Sequence, residues 1–152
     1  MKITAVDEKS LDTAARIHAR SWQESHRSFC APDFIALHTP ERQRKYLSDK
    51  MVRGAQVYLL ADPEPAGIVS VAGSLIEDLY VLPECQNRGY GSALLAFAVN
   101  KCAGAPTLWI LNKNDGARRL YERYGFRPTG KAHALSETLR EIEFVLMTGE
   151  NG

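Results

Sequence analysis

The chain has 152 residues, with 19 lysines and arginines against 18 aspartates and glutamates, and 45% of its residues are hydrophobic. This is the length of one ordinary domain, and the composition is that of a folded protein rather than a disordered or fibrous one. A formal net charge of +1 provides no basic field for a phosphate backbone, so we expect no nucleic-acid partner.

The chain also lacks the usual marks of export, membrane insertion and metal binding. Its start, Met1 to Asp7, has no secretory pattern, and the longest purely apolar run, Ala93–Val99, is too short to span a bilayer. We therefore expect a cytoplasmic protein with no membrane partner. Three cysteines without a C-x-x-C pair and four histidines without ligand spacing predict no disulfide framework and no metal.

The first 50 residues predict one strand followed by helices. Polar and apolar residues alternate over Lys2–Val6, which is typical of a strand, and Ser10 is a good helix N-cap. Apolar residues at helical spacing then run from Leu11 to about His26. Further helical segments are predicted to begin at Pro32 and to extend over Pro40–Lys50, because proline suits the first turn of a helix.

The middle of the chain predicts three strands. Gln56–Ala61 and Ile68–Val71 are apolar and flank a turn-rich segment, which indicates a β-hairpin. The next strand, Leu75–Leu82, carries two acids at its centre, Glu77 and Asp78. Adjacent residues of a strand point to opposite faces, so we expect only one of these acids to face a cleft.

The rest of the chain alternates helices and strands. Helices are predicted at Ser92–Cys102 and Asp115–Tyr124, and a strand is predicted between them at Thr107–Leu111. The last strands are predicted at Phe126–Arg127 and Leu139–Met147. The order of elements predicts a single mixed α/β domain over residues 1–148, with a short tail at 149–152.

The junction between the Leu75–Leu82 strand and the next helix has the composition of an anion site. Glycines at positions 89 and 91 let the backbone approach an anion closely, and amides at a helix N-terminus carry partial positive charge. A Walker phosphate loop is excluded because no Lys-Ser/Thr pair follows, and a dinucleotide fingerprint is excluded because it lacks its third glycine.

This segment resembles the signature of the GNAT acetyltransferases, in which a strand ending in Val and Pro precedes Q/R-x-x-G-x-G/A and a helix. The matching residues are Val81, Pro83, Gln86, Gly89 and Gly91. A second matching group lies downstream and consists of Trp109, Ile110, Leu111, Asn114, Ala117, Leu120, Tyr121, Tyr124, Gly125 and Phe126. The resemblance is strong over residues 56–127, and Trp22–Phe34 looks like the helical substrate wall of many members.

The resemblance implies an α/β (α+β) fold with a mostly antiparallel central sheet of about six to seven strands, a splayed fourth and fifth strand, and about four flanking helices. It implies acetyl-CoA as co-substrate, with the pantetheine arm along the backbone of Leu79, Tyr80 and Val81 and steadied by Asn114. The backbone amides assigned to the pyrophosphate belong to Gln86, Asn87, Arg88, Gly89, Tyr90, Gly91 and Ser92.

The resemblance also assigns catalytic roles. Tyr121 matches the tyrosine whose hydroxyl faces the thioester sulfur, and a phenol can give a proton to a leaving thiolate as a general acid. Glu77 is favoured over Asp78 as the general base, although many relatives carry a glutamate two residues earlier, where this chain has Leu75. Three arginines of the last predicted helix are interpreted as its solvated face; they are Arg118, Arg119 and Arg123.

The leading hypothesis is an N-acetyltransferase that acts on a primary amine of a small molecule or peptide. Two alternatives remain open from the sequence: a protein acetyltransferase of the ribosomal or N-terminal type, and a non-catalytic acyl-CoA sensor. Exposed strand edges expected near Leu139–Met147 favour a homodimer.

Overall fold

The computed structural model describes residues 1–147, which form five α-helices and seven β-strands. The helices are α1 (Leu11–His26), α2 (Pro32–Ala36), α3 (Pro40–Val52), α4 (Tyr90–Lys101) and α5 (Asp115–Tyr124). The strands are β1 (Lys2–Ala5), β2 (Gln56–Ala61), β3 (Pro65–Ala72), β4 (Leu75–Val81), β5 (Thr107–Leu111), β6 (Phe126–Ala134) and β7 (Arg140–Leu146). The predicted tail, 149–152, lies outside the described residues.

All seven strands belong to one sheet, in the order β1-β2-β3-β4-β5-β7-β6. Every neighbouring pair is antiparallel except β4 and β5, which are parallel. These two strands share a single registered pair, Leu75 with Thr107, and then diverge. The predicted fold class is therefore confirmed, including the splayed fourth and fifth strands.

Helices cover both faces of the sheet, and alternate residues of β2 show how the core divides. Val57 and Leu59 pack into a cluster with residues of α1 and α3, whereas Tyr58 and Leu60 pack into a second cluster that includes residues of α4 and α5. A strand that is covered on both faces has apolar residues at consecutive positions. This explains the continuous apolar run of Val57–Ala61.

Helices α3 and α1 both begin where the sequence predicts, but only α3 is capped by a side chain. Thr39 caps α3, because its hydroxyl accepts from the Arg42 amide at 3.2 Å, and Pro40 takes the first helical position. Helix α1 begins after Ser10 as predicted, but the Ser10 hydroxyl bonds to Asp7 instead of the helix. Within residues 1–147 no helix is both long and apolar enough to cross a bilayer.

The C-terminal strands differ from the prediction in length and position. Strand β6 runs from Phe126 to Ala134, well beyond Arg127, and all its residues after Phe126 are exposed. It has no apolar alternation, so the sequence pattern could not indicate it. Strand β7 lies between β5 and β6, so the expected exposed edge at Leu139–Met147 is wrong; the sheet ends at β1 and β6. A homodimer stays a prediction.

Candidate active site

Two cavities open where β4 and β5 diverge. One, of about 470 Å³, is lined by Trp22, Phe34 and Trp109, and we call it the aromatic cavity. The other, of about 560 Å³, lies along the turn that contains Gly89 and Gly91, and we call it the glycine-turn cavity. The residues that line both cavities are Leu79, Tyr80, Asn114, Ala117 and Tyr121. The two cavities therefore meet at a common wall.

The glycine turn presents a row of unpaired backbone donors. Asn87 and Gly89 both have positive φ, 64° and 85°, and Gly89 is the N-cap of α4. Among the described residues, the amides of positions 87–92 make no hydrogen bond to the protein. Alternating left- and right-handed backbone before a helix N-terminus concentrates such donors into an anion-binding concavity. Six of the seven residues from Gln86 to Ser92 line the cavity, and only Arg88 does not.

Two arginines of α5 add full positive charge to this cavity. Arg119 and Arg123 line it, whereas Arg118 is paired with Glu122 at 3.1 Å and does not. The sequence interpretation placed all three on a solvated helix face. A cationic helix face and an anion-binding wall have the same sequence pattern, so only the packing of α5 beside the turn distinguishes them.

The glycine-turn cavity is also lined by residues of β4 and α1. Leu79, Tyr80 and Val81 line the cavity, and past Leu75 their strand has no hydrogen-bonded register with β5. Ser21 of α1 also lines it, is 4% exposed, and has the one buried side-chain oxygen without a partner in the described part of the chain. A buried hydroxyl without a partner is costly.

The common wall carries the two predicted residues of α5. Asn114 caps the helix, because its Oδ1 accepts from the Ala117 amide at 3.2 Å, and its Nδ2 makes no hydrogen bond within residues 1–147. Tyr121 is 8% exposed. Burial, followed by the negative charge of Asp78, raises the pKa of Tyr121 well above its usual value near 10. The phenol therefore keeps its proton at neutral pH.

The two acids of β4 do not point to opposite faces as predicted. The register between β3 and β4 shifts between Ile68 and Ser70, and Asp78 has a positive φ of 56°. This irregularity turns both carboxylates toward one cation: Lys50 Nζ donates to Glu77 at 2.6 Å and to Asp78 at 2.7 Å. A β-bulge breaks the two-residue alternation on which the prediction rested.

Asp78 is a buried structural carboxylate. His18 bonds to it at 2.9 Å, Tyr46 donates at 3.1 Å and Ser70 donates at 2.8 Å, in addition to Lys50. Burial alone would raise the pKa of Asp78, but the hydrogen bond and charge of His18, followed by the charge of Lys50, outweigh it and hold the pKa well below the usual range. Asp78 is therefore unsuited to accept a proton.

Glu77 has a different environment. Its side chain is 41% exposed, it lines the aromatic cavity, and one carboxylate oxygen is held by Lys50. No other hydrogen bond to this carboxylate is present among the described residues. Lys50 thus orients Glu77 and leaves its second oxygen accessible, which is the arrangement that a proton acceptor in this cavity requires.

The segment Trp22–Phe34, expected from the sequence as a substrate wall, contributes Trp22, His26 and Phe34 to the aromatic cavity, and the sequence did not indicate how these rings stack. Trp22 stacks on His26 at 3.9 Å and on His38 at 3.5 Å between ring centroids, and two rings this close and parallel must lie on opposite faces of the indole. His26 lines the cavity, and burial lowers its pKa despite a hydrogen bond to the Trp22 carbonyl. Within residues 1–147 no three His, Cys, Asp or Glu side chains are arranged to hold a metal.

The sheet, with its parallel pair splayed beside a glycine turn, defines the class of fold as that of the GNAT acetyltransferases. A family model described as "Acetyltransferase (GNAT) domain" matches residues 40–128, more than half of the chain. The chain therefore belongs to the GNAT acetyltransferase family. No curated protein matches the sequence.

Solved structures share the fold over nearly the whole chain. An acetyltransferase of the GNAT family from Bacillus cereus is 18% identical, with a TM-score of 0.74 and coverage of 97% of this chain and 96% of that one. PaiA N-acetyltransferase from Thermoplasma acidophilum, solved with coenzyme A, is 19% identical (TM-score 0.70; 94% and 98% covered). Ribosomal-protein-alanine N-acetyltransferase from Brucella melitensis is 15% identical (TM-score 0.71; 97% and 100% covered).

Proposed function

We propose that this protein is an N-acetyltransferase that moves an acetyl group from acetyl-CoA to a primary amine of a small molecule or peptide. The observation that carries the proposal is the wall shared by two chemically different cavities, with Tyr121 in it. Direct transfer requires donor and acceptor to meet at one point, and a shared wall provides that point.

The glycine-turn cavity suits coenzyme A, which carries a pyrophosphate on a long amide-containing arm. The unpaired amides of positions 87–92 and the guanidinium groups of Arg119 and Arg123 would bind the phosphates. Asn114 Nδ2 and the unpaired edge of β4 at Leu79–Val81 would bind the amides of the arm.

The reaction needs one proton removed before transfer and one delivered after it. Glu77 accepts a proton from the ammonium form of the acceptor, directly or through a water, and this frees the nitrogen lone pair. The amine nitrogen then bonds to the thioester carbonyl carbon, the carbon–sulfur bond breaks with its electron pair on sulfur, and Tyr121 gives its proton to that sulfur. The second amine proton restores the phenol, and the products are an amide, free coenzyme A and one proton.

Burial of Tyr121 fits the role of acid rather than base. Because the pKa of Tyr121 is raised, the phenol is protonated whenever the thiolate begins to form. A free thiol has a pKa near 8.5, but a thiolate that forms in the same buried wall is also poorly solvated and becomes more basic. A hydrogen bond from Tyr121 to the developing thiolate is then strongest in the transition state, which is where it accelerates the reaction.

Release of free thiol from acetyl-CoA, measured against a panel of amines and peptides, tests the proposal. We expect Tyr121→Phe to lower kcat about 100-fold while acetyl-CoA affinity in isothermal titration changes less than about twofold. Tyr124→Phe is the matched control, since Tyr124 is 39% exposed and lines neither cavity.

The possible outcomes separate the hypotheses. Binding of acetyl-CoA without thiol release on any acceptor would favour the acyl-CoA sensor, and release on N-terminal peptides alone would favour the ribosomal type. Full turnover of Tyr121→Phe from pH 6 to 9 would refute the general-acid role. Absence of acetyl-CoA binding would refute the proposed function itself.

A further inference from the structure

The aromatic cavity has an excess of negative charge. Three carboxylates line it, those of Glu77, Asp78 and Glu141, and no lysine or arginine does so among the described residues. One ammonium, that of Lys50, lies behind the wall and is shared by Glu77 and Asp78. His18 contacts Asp78 and His133 contacts Glu141, but no lysine or arginine pairs with Glu141 among the described residues, so a cation in the cavity would meet a carboxylate that has no permanent positive partner.

Glu141 is the acid that is available to such a cation. Its single hydrogen bond within residues 1–147 comes from His133 at 2.8 Å, and its side chain is 35% exposed. Asp78 is enclosed by four donors, and Glu77 is held by Lys50 and proposed as the proton acceptor. Among the three carboxylates, Glu141 is thus the one that forms no ion pair with a lysine or arginine in the described part of the chain, apart from its contact with His133.

The charge of the two cavities is opposite. Arg119 and Arg123 line the glycine-turn cavity against a single acid, Glu24, whereas the aromatic cavity contains acids without arginine or lysine. A ligand with a carboxylate would be attracted to the first cavity and repelled by the second, because like charges in a partly enclosed space raise the energy of binding. The acceptor site therefore discriminates against anionic amines.

The apolar part of the cavity is built from rings that are already fixed in place. Trp22 is held between His26 and His38, and Phe34 meets its ring edge at 5.8 Å between centroids. On the other side, Trp109 stacks on the His133 ring at 4.6 Å. Rings held by neighbours lose little freedom when a ligand binds, and the edge of Trp22, whose two faces are covered by histidines, favours the face of another ring.

We propose that the acceptor is a primary amine which binds as its ammonium ion, carries an aromatic substituent and has no carboxylate. Glu141 attracts the ammonium group, and Trp22, Phe34 and Trp109 surround the ring. An alkyl amine has a pKa near that of lysine, about 10.4, so it arrives as the cation at neutral pH. This inference rests on the proposed function and names the substrate class of the same site.

Three acceptors that differ in one feature each test the substrate class. The rate of thiol release is measured with 2-phenylethylamine, with phenylalanine, which adds a carboxylate, and with ethylamine, which lacks the ring. We expect kcat/KM to be at least tenfold higher for 2-phenylethylamine than for either of the others. Equal or higher values for phenylalanine or ethylamine would overturn the inference.

Charge-neutral variants test the role of Glu141. We expect Glu141→Gln to raise KM for 2-phenylethylamine about tenfold, with kcat within twofold, because the acid contributes to binding in ground and transition states alike. Glu137→Gln removes the same charge from an exposed position of the neighbouring loop that does not line the cavity, and it should leave KM unchanged. An unchanged KM in Glu141→Gln, or an equal rise in both variants, would overturn the assignment.

Titration with acetyl-CoA distinguishes a failure of the substrate inference from a failure of the proposed function. If both variants bind acetyl-CoA like the wild type and acetylate some other class of amine, the substrate inference fails and the proposed function stands. If the wild type does not bind acetyl-CoA, the proposed function fails first.

Discussion

Replacement of Lys50 by methionine tests the buried network that fixes the β4 bulge. Lys50 is 6% exposed, and its Nζ donates to Glu77, Asp78 and Ser70 at 2.6, 2.7 and 3.1 Å. Methionine retains most of the apolar stem but removes every one of these hydrogen bonds and the charge. The Asp78 carboxylate then remains buried without its cation.

The structure sets the expected loss near the lower end of the range for buried ion pairs. Removal of one partner of such a pair usually costs about 3–5 kcal/mol, because the other charge stays desolvated. Asp78 keeps donors from His18, Tyr46 and Ser70, and Glu77 is exposed enough for water to replace Lys50. We therefore expect a loss of about 3 kcal/mol in the free energy of unfolding.

Urea unfolding followed by tryptophan fluorescence at pH 7 measures this loss. With a slope of about 2 kcal/mol per molar urea, the midpoint should fall by about 1.5 M. Lys45→Met is the matched control on the same helix, since Lys45 is 78% exposed and pairs with Asp49 at the surface. Its midpoint should move by less than about 0.3 M.

The pH dependence of the Lys50→Met effect follows from the direction of two pKa shifts. The pKa of Asp78 is lowered in the folded protein, so its stabilisation is present above its ordinary pKa of 3.8 and is lost as pH falls toward the folded value. Burial alone would lower the pKa of Lys50, but the Asp78 carboxylate outweighs it and raises the pKa above 10.5. This stabilisation is present below pH 10.5 and is lost as pH rises through the raised value.

The gap between wild type and Lys50→Met should therefore be constant from about pH 5 to 9 and narrow below about pH 4. A midpoint within about 0.5 M of the wild type at pH 7 would refute the reasoning, because water or a backbone shift would then have replaced the lysine at little cost. A gap that grows toward low pH would refute the assignment of Asp78 as the ionised partner.

Two further predictions concern the glycine-turn cavity. Arg119→Ala and Arg123→Ala should each weaken acetyl-CoA binding about three- to tenfold in low salt and less in 0.5 M salt, because salt screens exposed charges. Arg118→Ala is the control and should leave the acetyl-CoA titration curve unchanged. An equal effect of all three substitutions would contradict the assignment of Arg119 and Arg123 to the phosphates. Gly89→Val should abolish acetyl-CoA binding, since a β-branched residue strains a φ of 85° and disturbs the amides beside it. Gly54→Val is the control, because Gly54 has a φ of 106° in another turn and the substitution introduces similar backbone strain. Loss of acetyl-CoA binding in Gly54→Val would show that backbone strain alone abolishes binding.

The sequence alone determined those parts of the molecule that follow from local rules. The apolar segments Gln56–Ala61 and Ile68–Val71 predicted two strands of a β-hairpin, and proline at position 40 predicted the start of α3. The glycine turn was predicted from Gly89 and Gly91, because a backbone that must bend sharply before a helix requires residues without a Cβ at its tightest points. These features depend on residues that are close together in the sequence.

Tertiary structure decided what depends on residues distant in sequence. Glu77 and Asp78 were expected to point apart, but a bulge against β3 turns both toward Lys50, and a register shift between strands leaves no pattern within one strand. The edge strand β6 was nearly missed because edge strands need no apolar alternation.

The charged residues that line the two cavities also show the difference between what the sequence indicates and what tertiary structure decides. Arg119 and Arg123 are identical to surface arginines in a sequence, and Glu141 is one of many acids; their roles arise only from the walls that the fold assembles around them. The sequence specifies each element through short-range sterics and periodicity, whereas a binding site is a property of groups that folding brings together from separate elements.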